Sequence, residues 1–162
     1  MGPCFRRDDL RKRIQSDKGE HMTFAGLNYL AIVIAAIVAW VAGAVWYMGL
    51  GKIWMAAHGL TPEKMQECKG KPGAYLPFIY AFVAALVMAW VLAGLMAHLG
   101  AGQVTLLNGV VSGAFCWLGF VITTIVVNNT FAMRDMRLIW IDGGHWLVVL
   151  LLMGAIIGLM GV

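Results

Sequence analysis

The chain has 162 residues, 61% of them hydrophobic and only 12% charged, with a formal charge of +4. One domain of that length cannot hide so much apolar surface in water, since a soluble domain is about half apolar and about a quarter charged. That excludes an ordinary soluble fold, and the confinement of the basic residues to short segments excludes a nucleic-acid-binding face.

Six of the twelve Lys and Arg precede Met22, four lie between Lys52 and Lys71, and the last two are Arg134 and Arg137. Charged links between bare apolar runs are a membrane pattern. Cys4, Cys68 and Cys116 are an odd set without metal-type spacing, and Cys116 inside an apolar run reads as a small buried hydrophobe.

Residues 1–21 form a charged tail with no apolar stripe. They read either as a basic segment at the membrane surface or as an extension upstream of Met22, the reading favoured because Met22 leads straight into the first apolar run. Residues 22–162 then form one membrane domain. Its first span covers about 27–48, with Asn28 at the edge and Ala31, Ala35, Ala39 and Gly43 repeating every four residues, a smooth face for helix contact. A short interfacial helix over Gly51–Gly59 is expected next, and Thr61-Pro62-Glu63 has the form of a helix start. Lys69 to Gly73 break that helix.

The second span covers about 76–99, with Pro77 in its first turn and a small-residue face of Ala81, Ala85, Ala89 and Ala93. Gly100-Ala101-Gly102 is a tight turn, which makes spans two and three antiparallel neighbours. The third span, about 105–127, carries Gly109 and Gly113. The fourth, about 143–162, carries Gly154 and Gly158 at the same spacing, and these four glycines are the expected helix-packing residues. A polar connection from Asn128 to Asp142 joins the last two spans. The fold class is therefore all-α, an integral membrane antiparallel four-helix bundle, since the alternating pattern of a membrane β-barrel is absent.

With four spans both ends share a side. Counted from Met1 the positive charges tie at six on each side. Counted from Met22 they are all in loops one and three, which places those loops in the cytoplasm.

Topology gathers Tyr47, Lys52, His58, Asn128, Asn129, Arg134, Arg137, Asp142 and His145 on the loop-one and loop-three side. Asp142, His145 and Trp146 fall at i, i+3 and i+4, on one helical face. An aspartate beside a histidine raises its proton affinity or orients its ring. Asn128 and Asn129 are expected to reach that pair across the helix interface, under a cap of Tyr47 and Trp146. Polar residues near membrane depth are costly unless paired, which makes these six candidates for ligand or proton handling. The competing structural reading makes Asp142 an ordinary helix N-cap, His145 and Trp146 belt residues, and the two asparagines the end of span three.

No cofactor is expected: His98 and His145 lie on opposite membrane faces and cannot share a haem, and Asp142 with His145 are too few ligands for a metal. The eleven methionines share no depth or spacing and read as filler. There is no phosphate loop, nucleophile elbow or HExxH motif, so the chain is not expected to be an enzyme, and no catalytic residue is assigned.

Several residues carry a resemblance. They are Asn28-Tyr29 entering span one, Val45-Trp46-Tyr47 and Gly51-Lys52-x-Trp54 leaving it, then Gly59-Leu60-Thr61. Trp117-Leu118-Gly119-Phe120, Asn128-Asn129 and Asp142-Gly143-Gly144-His145-Trp146 follow. From Met22 to Val162 the chain resembles a bacterial membrane family designated a domain of unknown function, number seventeen sixty-one. The resemblance implies a small four-span inner-membrane protein and implies no activity. The residues themselves leave three readings: a protein that self-associates or supports another membrane complex, motivated by the small-residue faces; a transporter or channel for a small solute or proton, motivated by the Asp142 cluster and requiring a homo-oligomer; and, with the least support, a membrane enzyme acting on a lipid held near Arg134, Arg137 and His145. Its partners are the lipid bilayer and either further copies or another membrane protein.

Overall fold

The computed structural model describes residues 26–61, 63, 64, 73–100 and 102–162. The readings made for residues 1–21, Cys4, Cys68, Pro62 and the Lys69–Pro72 break lie outside the described residues. Within them the fold is all-helical, with four helices long and apolar enough to cross a membrane. They are α1 (Tyr29–Ala57), α2 (Leu76–Ala97), α3 (Leu106–Phe131) and α4 (Arg137–Met160).

Each helix starts and stops for a local reason. Asn28 caps α1, its side-chain oxygen accepting from the Ala31 N–H at 3.1 Å. Gly59, with φ +64°, ends α1: its N–H donates to the Ala56 carbonyl and that of Leu60 to Met55, the pairing that closes a helix when the following residue is left-handed. Thr105 caps α3 by accepting from Asn108 N at 3.2 Å. Met133 ends α3 in the same left-handed geometry, φ 49°, without the freedom of a glycine.

Two expected boundaries are corrected. The first span and the interfacial helix are one 29-residue helix. Gly49 and Gly51 do not interrupt it, because Trp46 and Tyr47 before them and Trp54 after them are all held to the fourth helix by side-chain hydrogen bonds that one continuous helix satisfies together. The fourth helix begins at Arg137, six residues before the expected Gly143, and the connection shrinks to residues 132–136. Asp135, not Asp142, serves its opening turn, accepting from the Arg137 N–H at 2.8 Å. The N-cap reading of Asp142 is therefore wrong: Asp142 lies inside the helix.

The helices are arranged around α4. Its interfaces with α3 and α1 are the two largest, and α2 packs mainly on α1. Spans two and three, expected as neighbours, meet where Met96 lies near Gly109, but α2 shares the larger interface with α1. The α1 face of Ala31, Ala35, Ala39 and Gly43 is buried as its spacing predicts. On α2, Ala85, Ala89 and Ala93 are buried while Ala81 is exposed. Leu92, Met96, Met153 and Ile157 fill the space between these small residues.

The four packing glycines sit at one close crossing. A Cβ on Gly109 would collide with the Gly154 carbonyl, one on Gly113 with the Leu150 carbonyl, and one on Gly158 with the Thr105 carbonyl. Small residues allow such backbone contact between membrane helices. The small-residue faces of α3 and α4 are thus used within one chain, so they do not serve as a surface for a second copy.

α3 carries one irregularity, a π-turn over Trp117–Val121 in which the Ile122 N–H returns to the Trp117 carbonyl. The Thr123 and Thr124 hydroxyls donate to the carbonyls of Gly119 and Phe120, so the widened turn leaves those groups satisfied.

Candidate site around Asp142

Starting α4 at Arg137 places Asp142 in its second turn, facing α1. Tyr47 Oη donates to Asp142 Oδ1 at 2.7 Å and Trp54 Nε1 donates to the same oxygen at 3.0 Å. These two donors are seven residues apart, two turns of one helix, so they reach one carboxylate only because α1 continues unbroken past Gly51. On the flanking residues, Trp46 Nε1 donates to the Ile141 carbonyl at 3.1 Å and Trp117 Nε1 to the Gly143 carbonyl at 2.8 Å. Four side-chain donors from α1 and α3 therefore converge on three consecutive residues of α4. A carbonyl within a helix has a second lone pair for such a bond.

His145 is buried one turn further along α4, with 9% of its surface exposed. Its ring lies 4.9 Å from Tyr47 and 4.8 Å from Trp146, between centroids. Its Nε2 faces Gly43, where a Cβ would stand 2.7 Å away. Gly144 admits Trp46 in the same manner, a Cβ there meeting the indole at 3.0 Å. His145 Nδ1 is buried and has no hydrogen-bond partner among the described residues. An orphaned buried nitrogen costs about 1–3 kcal/mol.

Depth follows from counting residues. Asn28 Nδ2 donates to the Met160 carbonyl at 3.1 Å, which sets the start of α1 level with the end of α4. From that level Tyr47 and Asp142 are each about 27–28 Å away at 1.5 Å per residue, while a hydrocarbon core is about 30 Å thick. A straight crossing that starts at that level therefore brings the cluster to the far boundary of the apolar layer, at the end of the bundle that holds the 132–136 link.

Of the six residues picked from sequence, the structure brings Tyr47, Asp142, His145 and Trp146 together. It does not bring Asn128 or Asn129 to them. Adjacent helical residues point about 100° apart, so the pair cannot share a face. Asn128 is exposed. Asn129 is buried, but its Nδ2 donates to the Ile125 carbonyl at 3.0 Å within its own helix and its Oδ1 has no partner among the described residues. Trp54 and Trp117 were missed as site residues. The signal for Trp54 was available, since Tyr47 and Trp54 share a face once α1 is taken as continuous. Trp117 gave none, because its donor reaches a backbone atom on another helix.

Outside the spans, Asp135 forms an ion pair with Arg137 at 3.1 Å. The Arg137 backbone N–H, with the guanidinium assisting, holds the Asp135 carboxyl below the usual carboxylate range. No group of three or more His, Cys, Asp or Glu suited to a metal is found among the described residues.

A family model described as a protein of unknown function (DUF1761) matches residues 30–158, most of the chain, and the chain belongs to that family. The matched segment contains all the residues of the Asp142 cluster. No curated protein and no solved structure matches the chain.

Proposed function

We propose that this DUF1761 member is a small multi-pass protein of the bacterial cytoplasmic membrane that binds a small solute or proton at Asp142 and carries it across the bilayer as an oligomer of four-helix bundles. It moves its substrate without transforming it and is not an enzyme. The observation that carries this reading is the state of the Asp142 carboxylate. Both of its hydrogen bonds fall on Oδ1 and come from neutral donors, and no Lys or Arg among the described residues pairs with it. An ionisable group near membrane depth without a counter-ion is a site by default, and the orphaned His145 Nδ1 one turn away adds a second polar atom to it. Four spans are few to enclose a path, which is why an oligomer is required.

The test is flux into proteoliposomes, followed for protons with an entrapped pH dye and for labelled small solutes by filtration. Wild-type protein is expected to carry a flux that falls at least tenfold in Asp142→Asn and in His145→Gln. Equal flux from wild type and both variants over protons and the solutes tried would remove the reading.

A second reading is favoured by α3, in which only 6% of the membrane-spanning window is buried inside the chain. Phe115, Leu118 and Phe120 all face outward from it. On this reading the protein supports a complex, and α3 takes the neighbour. A cysteine placed at Phe120 in a Cys-free background is then expected to cross-link in native membranes. A monomer band alone would leave lipid as the only cover for that face.

A further inference from the structure

His58, Trp54, Tyr47, His145 and Trp146 form a continuous run of rings, with successive centroids 4.0, 5.8, 4.9 and 4.8 Å apart. Asp142 is attached to the middle of the run through Tyr47 and Trp54. Asp142, Tyr47, Trp54 and His58 are half-buried, so the carboxylate and part of the ring surface remain reachable at the boundary of the apolar layer.

The chemistry of this surface restricts what binds it. A carboxylate and the faces of aromatic rings both present negative potential, which disfavours an anion. A hard divalent ion needs six or more oxygen ligands or a near-ideal octahedron, and the described residues offer no cluster of three acidic, His or Cys ligands. An organic ammonium has the opposite requirements. It is satisfied by one counter-charge, and its alkyl groups carry the positive charge onto the faces of Trp and Tyr. It is also less strongly hydrated than a divalent metal ion, so the loss of water at this depth costs it less.

We propose that the Asp142 cluster binds a small organic ammonium ion, with Asp142 as counter-charge and Trp54 and Tyr47 as the aromatic walls. The proposal rests on Asp142 being the solute site and supplies the class of solute. At this depth the same chemistry comes from two sources, a free alkylammonium in water or the ammonium of a phosphatidylethanolamine headgroup.

The experiment uses the full chain in dodecyl maltoside and in phosphatidylglycerol nanodiscs, which contain no ammonium. Choline is titrated and read by tryptophan emission and calorimetry, against 3,3-dimethylbutan-1-ol, its neutral carbon isostere. Saturable binding of choline at least tenfold tighter than the isostere is expected. It should weaken at least tenfold in Asp142→Asn and at least fivefold in Trp54→Leu. Trp54→Phe, which keeps the ring and loses the N–H, should stay within about threefold and shows that a loss in Trp54→Leu is not misfolding. Native mass spectrometry from nanodiscs of phosphatidylethanolamine and phosphatidylglycerol gives the second arm. Retention of the ethanolamine lipid, lost in Asp142→Asn, together with no choline binding, assigns the site to a headgroup. Equal binding of choline and its isostere, or no binding in either arm, overturns the proposal. If proton flux still depends on Asp142 in that case, the site stands and only its ligand class is wrong. If no flux depends on Asp142, both fail together.

Discussion

α3 and α4 have nearly the same hydropathy, 2.2 and 2.0 over their spanning windows, yet 6% of the first window and 44% of the second are buried inside the chain. In water such a difference would show as a polar stripe on the exposed helix. In lipid it leaves no such mark, because acyl chains are as apolar as the core. What separates the two helices is what they present to each other and to α1. α4 is lined by Gly143, Gly154 and Gly158 and receives helices on both sides, while α3 touches it through Gly109, Gly113, Trp117 and Ile122 and leaves most of its remaining surface outside the bundle. Burial here is a matter of side-chain size and hydrogen-bond supply and not of polarity.

The comparison breaks most sharply at the glycines. Gly154→Leu is expected to cost more than about 3 kcal/mol, at or beyond the upper end of overpacking penalties, because the clash is with backbone. Gly119→Leu on the outer part of α3, where a Cβ meets nothing within 4 Å, is expected to be neutral within about 0.5 kcal/mol. Equilibrium unfolding in mixed dodecyl sulfate and maltoside micelles measures both. Similar losses for the two would mean that α3 does not lie on α4 as described.

Side-chain truncation gives the next effect. Met153 is fully buried and Phe120 is 73% exposed. Met153→Ala is expected to lose about 2–5 kcal/mol in the same assay, and Phe120→Ala below about 0.5 kcal/mol. A large loss at Phe120 would instead show that a protein partner covers that face.

The junction between the two helices yields smaller changes. Met133 holds a left-handed conformation that costs an L-residue about 1–2 kcal/mol, so Met133→Gly is expected to raise stability by about 1 kcal/mol. A loss on that change would mean that the Met133 side chain contributes more than its backbone costs. The smallest effect is pH-dependent. The Asp135 carboxyl is held below its unfolded value of about 3.9. Its contribution is therefore fully present above that value and is lost as pH falls through the lowered one. Asp135→Asn should flatten the stability curve below about pH 4 and leave neutral pH nearly unchanged. An unaltered acid limb would exclude Asp135 as its source.

The four spans were legible in the sequence because a run of some twenty apolar residues has one common outcome in a bilayer. The shared face of Asp142, His145 and Trp146 was legible from helical spacing alone. The start of α4 was not: Asp142-Gly143-Gly144 has the form of a helix start, and Asp135, which accepts from the opening Arg137 N–H, lies inside a polar stretch that reads as loop. That one misplacement hid the direction of Asp142 into the bundle. The glycine spacings announced close helix approach without saying whether the second helix belongs to the same chain, since the pattern is identical in both cases. Asn128 and Asn129 show the same limit at the scale of one residue: their order along the chain does not reveal which of them faces inward.

The length of α1 ties the Asp142 cluster to the thickness of the surrounding lipid. Its 29 residues rise about 43 Å, and a tilt of 40°, the usual extreme, still leaves about 33 Å along the membrane normal. With the start of α1 fixed to the end of α4 through Asn28 and Met160, the surplus emerges at the other end, where Trp54 and His58 lie. In a thin bilayer those turns stand in the headgroup layer and Asp142 faces water. In a thicker one acyl chains rise around Trp54 and separate the carboxylate from the aqueous phase. On the proposed reading of Asp142 as a solute site, acyl-chain length then sets how far the carboxylate stands from water, with no moving part of the protein required.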